Sequence, residues 1–185
     1  MSSALESQKK SLGMTHARVL DDAKLLANEL RLAERFDEAE VYYKQLEAAY
    51  RSLGQTKTVA WAQLLSDHSS NLLKLEQWAM AEQLLLESWN IRQQAQPNTL
   101  ESFYVQSALG QSLLEQGKMD EADKHVRGAY QGVKQLLANT SEPTNDKRIV
   151  EIMKRTILLC EARNQLDEAN RLREELEKMS TSSPD

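Results

Sequence analysis

The alanine that recurs at Ala39, Ala81, Ala122 and Ala169 constrains this chain more than any other feature. Each stands in a similar stretch: ERFDEAEVYY, EQWAMAEQLL, QGKMDEADKHV and RNQLDEANRLR. The steps between them are 42, 41 and 47 residues, and self-similarity at such a period marks stacked supersecondary units that bury their faces on one another. A small residue early in a second helix lets the two helices of a hairpin approach closely, while Phe36, Trp78, Met119 and Leu166 are placed to plug the turn. Gly117 tolerates the left-handed backbone that ends a helix, and Asp37, Asp120 and Asp167 are expected to cap the next one. The Trp78 joint lacks that aspartate and is expected to be held by packing.

Between the joints the pattern is helical. Leu20, Ala23, Leu26, Ala27, Leu30 and Ala33 recur at steps of three and four, with Asp22, Lys24, Asn28 and Arg31 on the other face. Only 6 glycines and 3 prolines occur in 185 residues, and helix formers outnumber β-branched residues, so the fold class is all-α: an α-solenoid of stacked antiparallel helix hairpins. The repeats fall at about 15–54, 56–96, 98–138 and 145–179, preceded by a partial hairpin over 1–13, within one domain over 1–179. The polar loop ANTSEPTND carries the extra residues of the last step, and residues 180–185 read as a disordered tail.

A net charge of -5 and a pI near 5.4 give no general attraction to phosphate backbones, so nucleic acid is not an expected partner. Lys147, Arg148, Lys154 and Arg155 read as an ordinary solvated helix end. No apolar run reaches the roughly 18 residues that span a bilayer, and MSSALESQKK lacks the apolar centre of a secretory signal. No membrane insertion and a cytoplasmic location are expected. Cys160 is the single cysteine and reads as a small core residue.

Catalytic chemistry finds little footing. The glycine-rich loops and the kinase, GxSxG and HExxH patterns are missing; His16, His68 and His125 fall in three different repeats. His68 reads as a partly buried histidine satisfied by a neighbour. The pairs Asp21/Asp22 and Glu174/Glu175 point in different directions on a helix and read as solvated faces. No enzyme activity, metal or cofactor is expected. Of the three tryptophans, Trp78 and Trp89 read as packing residues, and Trp61 is the one to suspect of partner contact, packing being its alternative.

The joints resemble those of the tetratricopeptide repeat. The third repeat carries that pattern best, in Leu109, Gly110, Leu113, Gly117, Glu121, Ala122 and Ala129; the first matches at Leu26, Ala27, Phe36, Ala39 and Tyr43. His68 and Arg173 depart from it, standing where a leucine and an aromatic are usual. The period exceeds the usual 34 residues and is similar to that of kinesin light chain-type arrays, whose inter-repeat segment SLGMTHARVL resembles through Leu12, Gly13 and His16. A second Ser-Leu-Gly stands at Ser52 to Gly54, which makes Ala4 to Leu12 look like the tail of a hairpin whose first helix is absent. The segment is either the start of a fragment of a longer array or a frayed natural terminus. The C-terminal half further resembles the repeats that follow some planctomycete-type bacterial serine/threonine kinases.

That resemblance implies a right-handed superhelix with a concave face lined by the first helices, an extended surface for a protein or peptide partner. Its groove positions fall on Asp21, Lys24, Asn28 and Arg31; on Gln63, Ser66, Ser70 and Lys74; and on Tyr104, Ser107, Gln111 and Glu115. The expected function is a noncatalytic interaction scaffold, placed by the resemblance in bacterial signalling. The alternative is self-association through an apolar flank on Leu20, Leu26 and Leu30 at an incompletely capped end.

Overall fold

The computed structural model describes residues 2–138 and 146–181, so the expected loop lies outside the described residues except at its ends. The described residues form helices joined by turns: α1 (Ser2–Leu12), α2 (Ala17–Leu32), α3 (Phe36–Ser52), α4 (Val59–Lys74), α5 (Trp78–Ala95), α6 (Leu100–Glu115), α7 (Met119–Ala138), α8 (Lys147–Ala162) and α9 (Leu166–Thr181). Of the expected tail, the first two residues close α9 and the rest lies outside the described residues. The chain divides into two compact units, 1–91 and 92–185, the boundary falling within α5.

Four hairpins share one joint. In each, three residues separate the first helix from the second, and the middle one is left-handed: Glu34, Glu76, Gly117 and Asn164, at φ 59, 56, 76 and 58°. The next residue donates its backbone N–H back to the helix just ended: Arg35 to the Leu30 carbonyl, Gln77 to Leu72, Lys118 to Leu113 and Gln165 to Cys160, at 2.8–3.0 Å. This pairing satisfies carbonyls that a helix end leaves open. Sequence points to such a turn at Gly117 alone, since glutamate and asparagine advertise it poorly.

The expected aspartate caps are corrected. Because the turn delivers the chain one residue earlier, α3, α7 and α9 begin at Phe36, Met119 and Leu166, and Asp37, Asp120 and Asp167 are second helical residues. Carboxylates there still suit the helix N-terminus, by about 0.3–1 kcal/mol each. Side-chain caps stand instead at three of the first helices, α2 having none at His16: Thr58 accepts from the Trp61 N–H (3.1 Å), Thr99 from Ser102 (3.2 Å) and Asp146 from Arg148 (2.8 Å). The segments between hairpins vary, with four residues before α2, six before α4, four before α6 and eight before α8.

The joint alanines have no exposed surface, as close approach of the helices requires. In unit 1, Leu5 of α1, Leu26 and Leu30 of α2, Tyr43 and Leu46 of α3 and Trp61 of α4 belong to one core cluster. Leu20, Leu26 and Leu30 are therefore not the open flank expected for self-association; all are buried. The apolar side chains left outside on α2 and α3 are Leu25, Leu32 and Val41, with Leu32 at 73% exposure. Unit 2 has its core in Phe103, Ala129, Val133, Ile149, Ile152 and Met153, and Cys160 is buried beside Ile157, Ala169 and Leu172. Helices α6 and α7 meet through glycine: a Cβ on Gly110 would lie 2.5 Å from Val126 Cγ2, and one on Gly132 would lie 2.2 Å from the Phe103 ring.

Left-handed backbone costs an ordinary residue about 1–2 kcal/mol, part of which glycine returns through its freer unfolded chain. Glu76→Gly is expected to stabilise by up to about 1 kcal/mol, and Gly117→Ala to destabilise by about 1 kcal/mol. A Cβ at Gly117 meets nothing within 4 Å, so the second change is a backbone effect alone. Urea unfolding midpoints of the two variants check both signs.

Candidate interaction faces of the first helices

In unit 1 the nominated residues divide into two groups. Lys24, Asn28 and Arg31 of α2 and Gln63 of α4 gather around Asp67, a residue the sequence did not nominate. Gln63 Nε2 donates to Asp67 Oδ1 at 2.9 Å, and Lys24 Nζ stands 3.9 Å from Oδ2. Asn28 Oδ1 accepts from the Tyr43 hydroxyl at 2.8 Å, and Arg31 Nε is enclosed without a hydrogen-bond partner. Burial raises the Asp67 carboxyl above its ordinary value, against the pull of Gln63, Lys24 and Arg31. The second group is scattered: Asp21 and Lys74 are exposed, Ser70 is half-buried with its hydroxyl on the Ser66 carbonyl, and Ser66 is buried. Ser66 thus offers a partner no side-chain surface.

Behind this face, His68 sits at 2% exposure between two carboxylates of α3. Its Nε2 lies 2.9 Å from Glu40 Oε2 and its Nδ1 2.5 Å from Glu47 Oε1, while the Tyr43 ring stacks on it at 5.1 Å. Ionised carboxylates only accept, so the ring donates from both nitrogens and is an imidazolium. Burial opposes that charge, but the bonds to Glu40 and Glu47 outweigh it and raise the His68 pKa. Glu40 is lowered in turn: burial opposes the shift, and His68, Lys44 and Asn71 overcome it. Asn71 Nδ2 also donates to the Phe36 carbonyl at 3.0 Å, tying α4 to the turn that starts α3. A histidine suits this buried position because two glutamates of α3 face it.

Trp61 is not the partner residue expected. It has no exposed surface, its Nε1 donates to Glu87 Oε1 at 2.7 Å, and the Arg51 guanidinium lies over its ring. Its place in the first turn of α4, three residues after the Thr58 cap, turns it inward.

Unit 2 brings three of its four nominated residues together. The Arg155 guanidinium of α8 lies 4.7 Å over the Tyr104 ring, its Nη1 donates to Ser107 Oγ at 2.9 Å, and its Nε donates to Gln111 Oε1 at 3.0 Å. Ser107 is buried, Tyr104 and Gln111 are half-buried, and Glu115 stands apart, exposed. The structure corrects the expectation that Arg155 belongs to a solvated helix end, since it is 6% exposed. Its position between Ile152 and Leu159, at helical steps of three and four, is the available signal for an inward side chain. Of the same basic group, Lys154 is exposed beside Glu151, and Arg148 pairs with Asp146 and Glu101.

Among the described residues no group of three His, Cys, Asp or Glu side chains is arranged to hold a metal ion, and no helix is long and apolar enough to cross a membrane.

A histidine raised in the folded state contributes stability that is complete below its unfolded value, about 6.5, and is lost as pH rises through the folded value. His125 is shifted the other way by burial and acts below that range. The melting temperature is therefore expected to fall as pH rises above about 6.5 and through the raised His68 value, and His68→Gln to flatten that slope. A pH series of thermal melts on both proteins decides it.

No protein-family model matches the sequence, and no curated protein matches it significantly. Solved structures do match. A crystal structure of a variant of the kinesin light chain-type, nearly identical TPR-like repeats from Podosopora anserina aligns with TM-score 0.76 and 16% identity, over 96% of this chain and 82% of that one. A second crystal structure of those repeats gives 0.74 and 16%, over 99% and 86%. BtubC (BKLC) from P. vanneervenii gives 0.73 and 14%, over 90% and 66%. The joint geometry and these likenesses agree that the chain has the all-α, TPR-like helical-repeat fold of kinesin light chain-type structures.

Proposed function

We propose that the chain is a noncatalytic protein-interaction scaffold that grips an extended peptide or protein segment along the faces of its first helices. What carries this reading is the convergence of Tyr104, Ser107 and Gln111 with Arg155, a half-buried polar face on two adjacent first helices whose donors are not all used within the protein. Unit 1 supports it with Lys24, Asn28, Arg31 and Gln63 around Asp67. Such faces bind main chain and short side chains by hydrogen bonds, each worth about 0.5–1.5 kcal/mol net. The resemblance of the C-terminal half to kinase-associated repeats sets the proposed context as recruitment or regulation in bacterial signalling.

Peptides selected from a panel by fluorescence anisotropy are expected to lose at least about tenfold in affinity with Ser70→Trp and Gln111→Trp, as loss of about 1.4 kcal/mol implies. Thermal melts of each variant separate lost binding from lost fold. Unchanged affinity removes these faces from the account.

A second reading rests on Leu25, Leu32 and Val41, apolar side chains left exposed on α2 and α3. Another copy of the chain covering these side chains would make a dimer. Light scattering over a wide concentration range should then show mass rising with concentration, and Leu32→Glu should abolish the rise; constant monomer mass removes the reading.

A further inference from the structure

His68 joins the first two hairpins through a buried charge. Its ring belongs to α4, and both of its bonds run to α3: Nε2 to Glu40 Oε2 at 2.9 Å and Nδ1 to Glu47 Oε1 at 2.5 Å. The titratable and charged groups around it come from three helices. On α3 the Tyr43 ring stacks on it, Lys44 Nζ stands 3.2 Å from Glu40 Oε1, and Arg51 Nη2 stands 3.4 Å from Glu47 Oε2. On α4, Asp67 precedes it in the chain but engages Gln63, together with Lys24 and Arg31 of α2.

The two bonds cannot both survive loss of the proton. A neutral imidazole keeps one N–H, and its other nitrogen becomes an acceptor that faces a carboxylate oxygen. The two glutamates are not held equally. Glu40 Oε2 also accepts from Asn71 Nδ2 at 3.2 Å, and Asn71 is itself fixed to the Phe36 carbonyl at 3.0 Å. The further tie of Glu47 is to Arg51, one turn along the same helix, whose side chain is 55% exposed. The neutral ring therefore keeps Nε2–H on Glu40 and turns a bare Nδ1 toward Glu47. A covered acceptor without a donor is costly, so Glu47 rotates out to water. Arg51 follows it, and the Arg51 guanidinium is what lies 5.1 Å over the Trp61 ring of α4.

We infer that His68 is a proton-operated latch between the first two hairpins: charged, it clamps both Glu40 and Glu47; neutral, it holds Glu40 alone and frees Glu47, Arg51 and the C-terminal end of α3. The opening is local, because Leu46 stays in the core of unit 1 and the bond from Asn71 to the Phe36 carbonyl does not titrate. The two carboxylates raise the His68 pKa against burial, so the latch is closed below about 6.5 and opens as pH rises through the folded value. One helix end thus responds to proton concentration while the rest of the unit stays packed.

The test uses the whole chain, isotopically labelled in nitrogen, in a pH series from about 6 to past the titration of His68. Long-range proton–nitrogen NMR correlations read the ring: both nitrogens protonated at the start, then Nε2–H with a bare Nδ1. Backbone amide exchange, corrected for its intrinsic pH dependence, reads the helix end. Exchange over residues 47–52 of α3 is expected to quicken tenfold or more relative to residues 23–30 of α2 across that titration, a local change that a loss of overall stability would not produce. Glu47→Gln presents either an oxygen or an N–H to Nδ1 and so meets both forms of the ring; it is expected to remove the relative change. A ring already neutral at the start, an Nδ1–H tautomer after titration, exchange that quickens equally in α2 or not at all, or a relative change that persists in Glu47→Gln overturns the proposal.

Discussion

Everything in these hairpins depends on two helices being allowed to come close at their joint. Ala39, Ala81, Ala122 and Ala169 have no exposed surface, and five residues before each the chain turns through a left-handed residue. The backbone pairing across that turn is the same whether the residue is glycine, glutamate or asparagine. In α6 and α7 the approach is closer still, since neither Gly110 nor Gly132 has room for a methyl group.

Close helices force a choice about charge. Polar side chains on the first helices are half covered by their neighbours, and each unit compensates differently. Unit 1 pairs its buried cation, His68, with two carboxylates and completes the set with Asn71 and Tyr43. Unit 2 surrounds Arg155 with neutral groups. In the first arrangement the buried charge is balanced by carboxylates of the neighbouring helix, although Glu40 Oε1 and Asn71 Oδ1 stay without a hydrogen-bond partner; in the second the charge has only neutral neighbours.

The fold is legible in the sequence because its signals are local and repeated. Apolar residues at steps of three and four, together with four similar joints, suffice for an all-α array of hairpins. The caps are not legible in the same way, because Asp37, Asp120 and Asp167 look like cap residues and only backbone geometry shows the helix starting one residue sooner. The faces are half legible. Tyr104, Ser107 and Gln111 can be placed by analogy, but their convergence depends on Arg155, more than forty residues away and hidden among basic residues that are exposed. Asp67, His68 and Trp61 show the same limit: whether a polar or aromatic side chain faces solvent is decided by the helix opposite it.

The two kinds of turn differ in what they tolerate. Within a hairpin the second helix starts from a backbone turn of three residues, and no length can be added without breaking the pairing that defines it. Between hairpins a threonine or aspartate side chain starts the helix, and the preceding segment runs from four residues to eight. Insertions, tags or cut-and-rejoin permutations therefore belong ahead of Thr58, Thr99 and Asp146. An array built this way can drift in period while every hairpin keeps its shape.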